Sequence, residues 1–220
     1  MKTVAIIVAG GQGKRMGRPK QFLAIAGKPM IEWTLSAFQK SKVVDGVIVV
    51  VAENDLSRAR RLRFSKIIDV VAGGKERQDS VRNGLRALPS AAEIVLVHDG
   101  ARPAVTPKMI EAAVRGARRH GAVVLGVPVK DTTKKVKPNA EIIETVNRED
   151  LWQAQTPQAF RASILKKAYA RARGKFTDDA MLVEKLGLPV KMIMGSYKNI
   201  KVTAPEDLGM IGTFLKGGRK

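Results

Sequence analysis

A chain of 220 residues, 45% of them hydrophobic, can bury the core of one sizeable α/β domain and is not a disordered polycation. It has no cysteine and only two histidines, His98 and His120, which excludes a disulfide scaffold, a thiolate nucleophile or metal site, and a histidine-rich metal centre. The 40 basic and 20 acidic residues give a net charge of +20, shared equally between the halves: 19 basic and 9 acidic groups in residues 1–110, 21 and 11 in residues 111–220.

Such an even excess favours anionic partners in general, and it lacks the basic tail or aromatic-interleaved stripe of a nucleic-acid-binding module. The densest cluster, Arg58 to Arg63, reads as a solvated helix face. No apolar run approaches the roughly 20 residues that cross a bilayer. The apolar part of Met1–Gly11 is too short for a signal peptide, so a soluble cytoplasmic protein is expected.

In chain order, Thr3–Ala9 is a candidate buried strand that runs straight into the glycine loop Gly10-Gly11-Gln12-Gly13. Met30–Phe38 has helical spacing, with Ile31, Leu35 and Phe38 on one face. Val47–Ala52 and Ile67–Ala72 are further buried strands, and Gln78–Leu88 a helix. Ile94–Val97 is a strand ending in His98-Asp99-Gly100, followed by a helix over Pro107–His120 and a strand over Ala122–Pro128. Apolar strands separated by helices indicate a mostly parallel sheet covered on both faces.

The pattern then changes. Residues 132–146 are polar, with a Pro138-Asn139 turn signal between Thr133–Val136 and Ile142–Val146, which predicts a β-hairpin. That hairpin is either a surface excursion or an arm reaching a second subunit. Helices over Ser163–Arg173 and Asp178–Leu186, a strand over Val190–Met194 and a closing helix over Pro205–Leu215 complete the chain. No linker or repeat divides it, so residues 1–220 are expected to form a single domain.

Ligands of open parallel sheets bind beyond the carboxyl ends of the strands. Two segments stand out there: Gly10–Lys20 and His98–Pro103. The first combines glycines, which let backbone N–H groups approach a phosphate, with the charges of Arg15, Arg18 and Lys20. It is neither a Walker loop nor the dinucleotide fingerprint.

The run Gly-Gly-x-Gly-x-Arg-Met-Gly…Pro-Lys-Gln-Phe-Leu resembles the signature loop of sugar-nucleotide pyrophosphorylase-like nucleotidyltransferases. Further segments narrow the resemblance to the 2-C-methyl-D-erythritol 4-phosphate cytidylyltransferases of the non-mevalonate isoprenoid pathway. They are Gly73–Val81, Val97–Pro103, Pro128–Thr132, Arg148–Gln158, Thr177–Ala180 and Asn199–Leu208, which follow the family's order along essentially the whole chain.

The resemblance implies a single Rossmann-like nucleotidyltransferase domain with a mostly parallel sheet flanked by helices and a protruding β-hairpin arm. It also implies cytidylyl transfer from CTP to methylerythritol phosphate, with release of pyrophosphate and dependence on Mg²⁺. Matched position by position, Arg15 and Lys20 correspond to the pair that stabilises the pentavalent α-phosphate. Arg148 and Lys201 correspond to the residues that position the acceptor phosphate, and Thr132, Thr156 and Thr177 to acceptor-contacting threonines. Ala9, Gly10, Gly11 and Gly13 resemble the nucleotide cradle, and Gly73, Gly74, Lys75 and Ser80 the part that reads cytosine and ribose.

Asp99 ends a predicted strand where a carboxylate could meet Mg²⁺, a ribose hydroxyl or the acceptor polyol. Arg102 either binds phosphate or locks its loop through a carboxylate, and His98 reads as a structural neighbour of Asp99. In this family the arm at 132–146 pairs across a two-fold axis, so a homodimer is expected, with no nucleic-acid or membrane partner.

The chain departs from the usual pattern at Gly10, where alanine is commoner, and at Ala204, where threonine is usual. The interval from Met16 to Pro19 is also about two residues shorter than is typical. Ribitol-5-phosphate cytidylyltransferases share the nucleotide loop and much of the fold, and a basic nucleic-acid-binding domain is the alternative of a different class.

Overall fold

In the computed structural model, residues 1–11 and 19–217 are described. Their organisation follows from the three β-branched runs at the centre of the sheet, whose side chains alternate between two faces. In β1 (Thr3–Ala9), Ala5, Ile7 and Ala9 enter one core while Val4 and Ile6 enter another. β4 (Gly46–Val51) divides Val47, Val49 and Val51 from Ile48 and Val50. β6 (Ile94–Asp99) divides Ile94 and Leu96 from Val95 and Val97.

Helices close both faces. On the first lie α1 (Met30–Lys40), through Ile31, Leu35 and Phe38, and α4 (Pro107–His120), through Ile110, Ala113, Val114 and Ala117. On the second lie α3 (Arg77–Arg86), α5 (Ala162–Arg171) and α6 (Ala180–Glu184), through Val81, Leu85, Leu165, Leu182 and Val183. α4 starts where Thr106 Oγ accepts the Met109 N–H at 3.3 Å, with Pro107 at its first position. A small third core joins α7 (Asp207–Gly217) to the two-residue strand β2 (Ala24–Ile25), which pairs with β3 (Lys28–Pro29), and to the start of α1, through Ile25, Met30, Val202, Ile211 and Leu215.

The main sheet has seven strands in the order β11-β7-β10-β6-β1-β4-β5, with β5 at Ile67–Ala72, β7 at Ala122–Pro128, β10 at Trp152–Arg161 and β11 at Lys191–Met194. All its pairings are parallel except those of β10, which runs antiparallel to both β6 and β7. A separate hairpin, β8 (Thr133–Val136) and β9 (Ile142–Val146), stands off the sheet as an arm.

Strands and helices fall where the sequence places them, with two corrections. β10 is not anticipated, because Pro157 and a run of polar residues hide it; its register slips between Ala154 and Gln158, which accommodates the proline. The basic cluster 58–63 is exposed but mostly not helical: α2 spans only Leu56–Ala59, and the arginines after it occupy a turn and the segment beyond.

Candidate active site

The carboxyl ends of β1, β4, β5 and β6 open onto one cavity of about 800 Å³. β1 delivers Ala9, Gly10 and Gly11 to its wall, and the loop after β5 delivers Gly73, Gly74 and Lys75. The first turn of α3 adds Arg77 and Ser80, β6 adds Asp99, and the turn Lys20–Phe22 adds Lys20. The segment before α7 contributes Lys201 and Thr203.

Close approach explains two of the glycines. A Cβ on Gly73 would lie 2.8 Å from Ser80 Oγ, and one on Gly74 would lie 2.2 Å from Asp79 Cβ. Ser80 Oγ accepts the Gly74 N–H at 3.1 Å and donates to the Glu76 carbonyl at 3.3 Å, while Asp79 accepts the Glu76 N–H at 3.2 Å. The glycine loop is thereby clamped to the start of α3, whose N-terminal end faces the cavity. Ser80 lines the cavity, but its hydroxyl is engaged in this clamp.

Asp99 is the electrostatic centre. It is only 6% exposed, and its Oδ1 accepts Arg77 Nε at 2.9 Å while its Oδ2 meets Lys201 Nζ at 2.6 Å. Burial alone would raise its pKa; the charges of Arg77 and then Lys201 outweigh that and hold the carboxyl far below the usual carboxylate range. Arg77 continues the chain to Asp179, which is fully buried, by an ion pair of 2.9 Å. Asp179 in turn accepts the Tyr169 hydroxyl at 2.5 Å. Burial works against the Arg77 charge, yet Asp179 and Asp99 hold its pKa above the ordinary value. Burial, then Asp179, pushes the Tyr169 phenol upward as well.

Behind Asp99 the polar groups are used structurally. Thr156 Oγ accepts the Asp99 N–H at 3.0 Å, and its own proton goes to His98 Nδ1, 3.1 Å away, because the other ring nitrogen faces a carbonyl and must donate. His98 Nε2 then carries the hydrogen and donates to the Arg102 carbonyl at 3.2 Å. Burial, aided by the Arg102 charge and opposed by Asp99, lowers the His98 pKa to about 3, so the ring is a neutral strut and not a base.

Thr156 therefore stands behind the cavity wall, with its hydroxyl occupied. Arg102 donates to the Asn199 carbonyl at 2.8 Å and the Ala154 carbonyl at 3.4 Å. It locks its loop as one of the two expectations had it, but through backbone carbonyls in place of a carboxylate.

Lys20 reaches the cavity despite the shortened stretch before it, and its ammonium donates to the Val202 carbonyl at 2.7 Å. Besides Thr156 and Arg102, three expected residues lie off the cavity wall of their own chain. Arg148 and Thr132 are exposed at the root of the arm, with Arg148 donating to the Lys130 carbonyl, and Thr177 is exposed beside Met181. Arg15 and Gly13 fall outside the described residues. Arg77, Asp179 and Tyr169 escape the sequence reading, although Arg77 and Asp179 sit inside the segments Gly73–Val81 and Thr177–Ala180.

An open, mostly parallel sheet with a clamped glycine loop and two cations on one strand-end carboxylate fits an α/β nucleotidyltransferase. Residues 3–216 match the family model described as 2-C-methyl-D-erythritol 4-phosphate cytidylyltransferase, and the chain belongs to that family. It is 46% identical to the protein of that name from Alkaliphilus metalliredigens (strain QYMF), over 100% of this chain and 95% of that protein. It is 48% identical to the one from Dehalococcoides mccartyi (strain ATCC BAA-2266 / KCTC 15142 / 195), over 99% and 98%. The crystal structure of 4-diphosphocytidyl-2C-methyl-D-erythritol synthase from Anaerococcus prevotii DSM 20548 aligns with a TM-score of 0.88 and 30% identity, covering 98% of each chain.

Proposed function

We infer that this chain transfers a cytidylyl group from CTP to 2-C-methyl-D-erythritol 4-phosphate in isoprenoid precursor biosynthesis. The observation that carries the reading is the gathering of Lys20, Lys75, Arg77 and Lys201 beside the glycine loops in one cavity of a chain that matches the family model over residues 3–216. A phosphate oxygen of the acceptor attacks the α-phosphorus of CTP as the bond to the bridging oxygen breaks, and pyrophosphate leaves with that electron pair. Both reactants are anions, so bringing them together and stabilising charge on the transferring group are the main catalytic tasks. The attacking oxygen is already ionised, and no general base is required of the protein.

Arg15 and Lys20 are assigned to the α-phosphate, by their match to the family's pair and, for Lys20, by its place on the cavity wall. Lys201 is assigned to the acceptor phosphate. Its ammonium is held on Asp99 at 2.6 Å, on the wall of the cavity. Arg148 and Thr132 belong to the arm, and a homodimer would bring them to the neighbouring chain's acceptor.

Among the described residues no group of three or more acidic or histidine side chains could hold a metal ion, and both Asp99 oxygens already face cations. The residues present therefore suit Mg²⁺ held by the triphosphate and water, with Asp99 engaged by Arg77 and Lys201 rather than by the ion. When bound, Mg²⁺ would neutralise triphosphate charge and orient the leaving pyrophosphate. Among the described residues no helix is long and apolar enough to cross a membrane.

Pyrophosphate release, measured with CTP and Mg²⁺ against methylerythritol phosphate and ribitol 5-phosphate, tests the reading. Turnover is expected with the first acceptor. Lys20→Ala should lower it by about 100- to 1,000-fold, as loss of a transition-state charge contact does, with an unchanged circular dichroism melt. Efficient turnover with ribitol phosphate alone would overturn the acceptor assignment, and near-normal turnover in the variant would remove Lys20 from the chemistry.

A further inference from the structure

We propose that Tyr197 is a positioning residue that fastens the root of the arm to the loop carrying Lys201 and so sets the direction in which Arg148 is offered to the acceptor phosphate. The inference rests on the reading above, in which Lys201 serves the acceptor phosphate of its own chain and Arg148 that of the neighbouring chain.

Tyr197 follows β11 in the loop leading to Lys201. Its hydroxyl donates to the carbonyl of Pro128, the last residue of β7, at 2.8 Å. Its ring lies beneath the Lys130 ammonium, 3.7 Å from the ring centroid. Lys130 belongs to the short segment that leads from β7 into the arm, and its carbonyl accepts the Arg148 guanidinium. The root is closed by Leu151 N–H to the Arg148 carbonyl at 3.0 Å and Val129 N–H to the Leu151 carbonyl at 2.9 Å.

On its other side the Tyr197 loop is anchored to β10. The Gln155 amide donates to the Ser196 carbonyl at 2.8 Å, and Asn199 Nδ2 donates to Gln155 Oε1 at 3.1 Å and to the Thr156 carbonyl at 2.9 Å. Tyr197 thus spans two elements that carry the two acceptor-phosphate cations.

Two consequences follow. The arm is a two-stranded hairpin apart from the main sheet, so its direction is set at its root, and contacts there determine where Arg148 points. The π face of Tyr197 also occupies the Lys130 charge, which would otherwise compete with Arg148 for the same anion.

Steady-state pyrophosphate release by the full chain tests this with Tyr197→Ala, Tyr197→Phe and Arg148→Ala, each also followed by thermal melting. Tyr197→Ala should raise KM for the acceptor about 10-fold, the size expected when a substrate-positioning group shifts, and leave KM for CTP within about twofold. Tyr197→Phe keeps the ring under Lys130 and loses only the hydroxyl; its effect should be intermediate, and it serves as the test if the alanine variant does not fold. The double variant Tyr197→Ala/Arg148→Ala should be no worse than Arg148→Ala alone, because the two act on one contact.

Equal losses toward CTP and acceptor, or additive losses in the double variant, would overturn the inference. If Arg148→Ala impairs acceptor use while both Tyr197 variants behave as wild type, this inference alone falls. If Arg148→Ala is itself without effect, the assignment of Arg148 falls and takes the role of Tyr197 with it.

Discussion

At the scale of single residues, the site depends on a carboxylate kept ionised in a place where water hardly reaches it. Asp99 stays charged because Arg77 and Lys201 face its two oxygens, and its backbone is held by Thr156 and, through Thr156, by His98. Leaving Asp99, Thr156 or His98 unpaired, all of them buried, would be costly. His98 makes that arrangement sensitive to acid. Its pKa is about 3 in the folded chain against an ordinary 6.5, so below pH 6.5 the unfolded chain takes up a proton that the folded chain refuses.

Stability should therefore be complete above about pH 7 and fall as pH drops from 6.5 toward 4.5, by at most about 1.4 kcal/mol per pH unit. The depressed pKa of Asp99 costs stability only below about pH 4, where the unfolded carboxylate protonates. Thermal melts at stepped pH should show a steeper loss over 6.5 to 4.5 in wild type than in His98→Gln; equal slopes would exclude His98 as the cause. Lys20 and Asp99 were legible as site residues because charged groups in glycine loops and at strand ends have few structural uses, whereas Lys201 came only with the family resemblance. Arg77 and Asp179 were not, since no local spacing tells that residues far apart in the chain meet at one carboxylate.

Among the elements, those with a strong period were readable, as in the alternating cores of β1, β4 and β6 and the apolar face of α4. β10 was not. Its buried Gln155, Thr156 and Gln158 look like loop residues in the sequence, and they tolerate burial only through partners from elsewhere. Gln155 and Asn199 bond each other, Thr156 takes the Asp99 N–H, and Gln158 donates to Asp178 at 2.8 Å while accepting the Asp179 and Ala180 N–H groups.

α3 shows the same dependence on packing. Gly84 in its middle faces β1, and a Cβ there would lie 2.6 Å from Ile6 Cγ2 and 3.3 Å from Val50 Cγ2. Helix propensity alone favours Gly84→Ala by about 1 kcal/mol. The clash with the sheet should outweigh it, and denaturant unfolding is expected to show a net loss of about 1–3 kcal/mol. A stabilised variant would mean that α3 can shift outward freely, along with Arg77 and Ser80 at its start.

For the whole molecule, the open question is what covers the arm. Val136, Ile142 and Ile143 are 50%, 58% and 51% exposed on a two-stranded hairpin, a unit that is marginal in water by itself. Our proposal of a homodimer predicts that light scattering gives twice the chain mass of 23.9 kDa. Ile142→Asp with Ile143→Asp should give monomers that use the acceptor poorly, whereas a fully active monomer would contradict the proposal. The even +20 charge finds only a few partners in the site, chiefly Lys20, Lys75, Arg77 and Lys201, and most of it remains a basic surface.

The sequence by itself determined the layered α/β architecture, the hairpin and the glycine loops, because these follow from hydrophobic period and backbone preference within a few residues. Tertiary structure decided that Arg77, Asp99, Asp179 and Lys201 form one charged chain, that Thr156 and Arg102 turn inward as struts, and that Arg148 leaves its own cavity. Each of those outcomes depends on which distant groups can satisfy a buried charge or hydrogen bond, and only the folded chain brings those groups together.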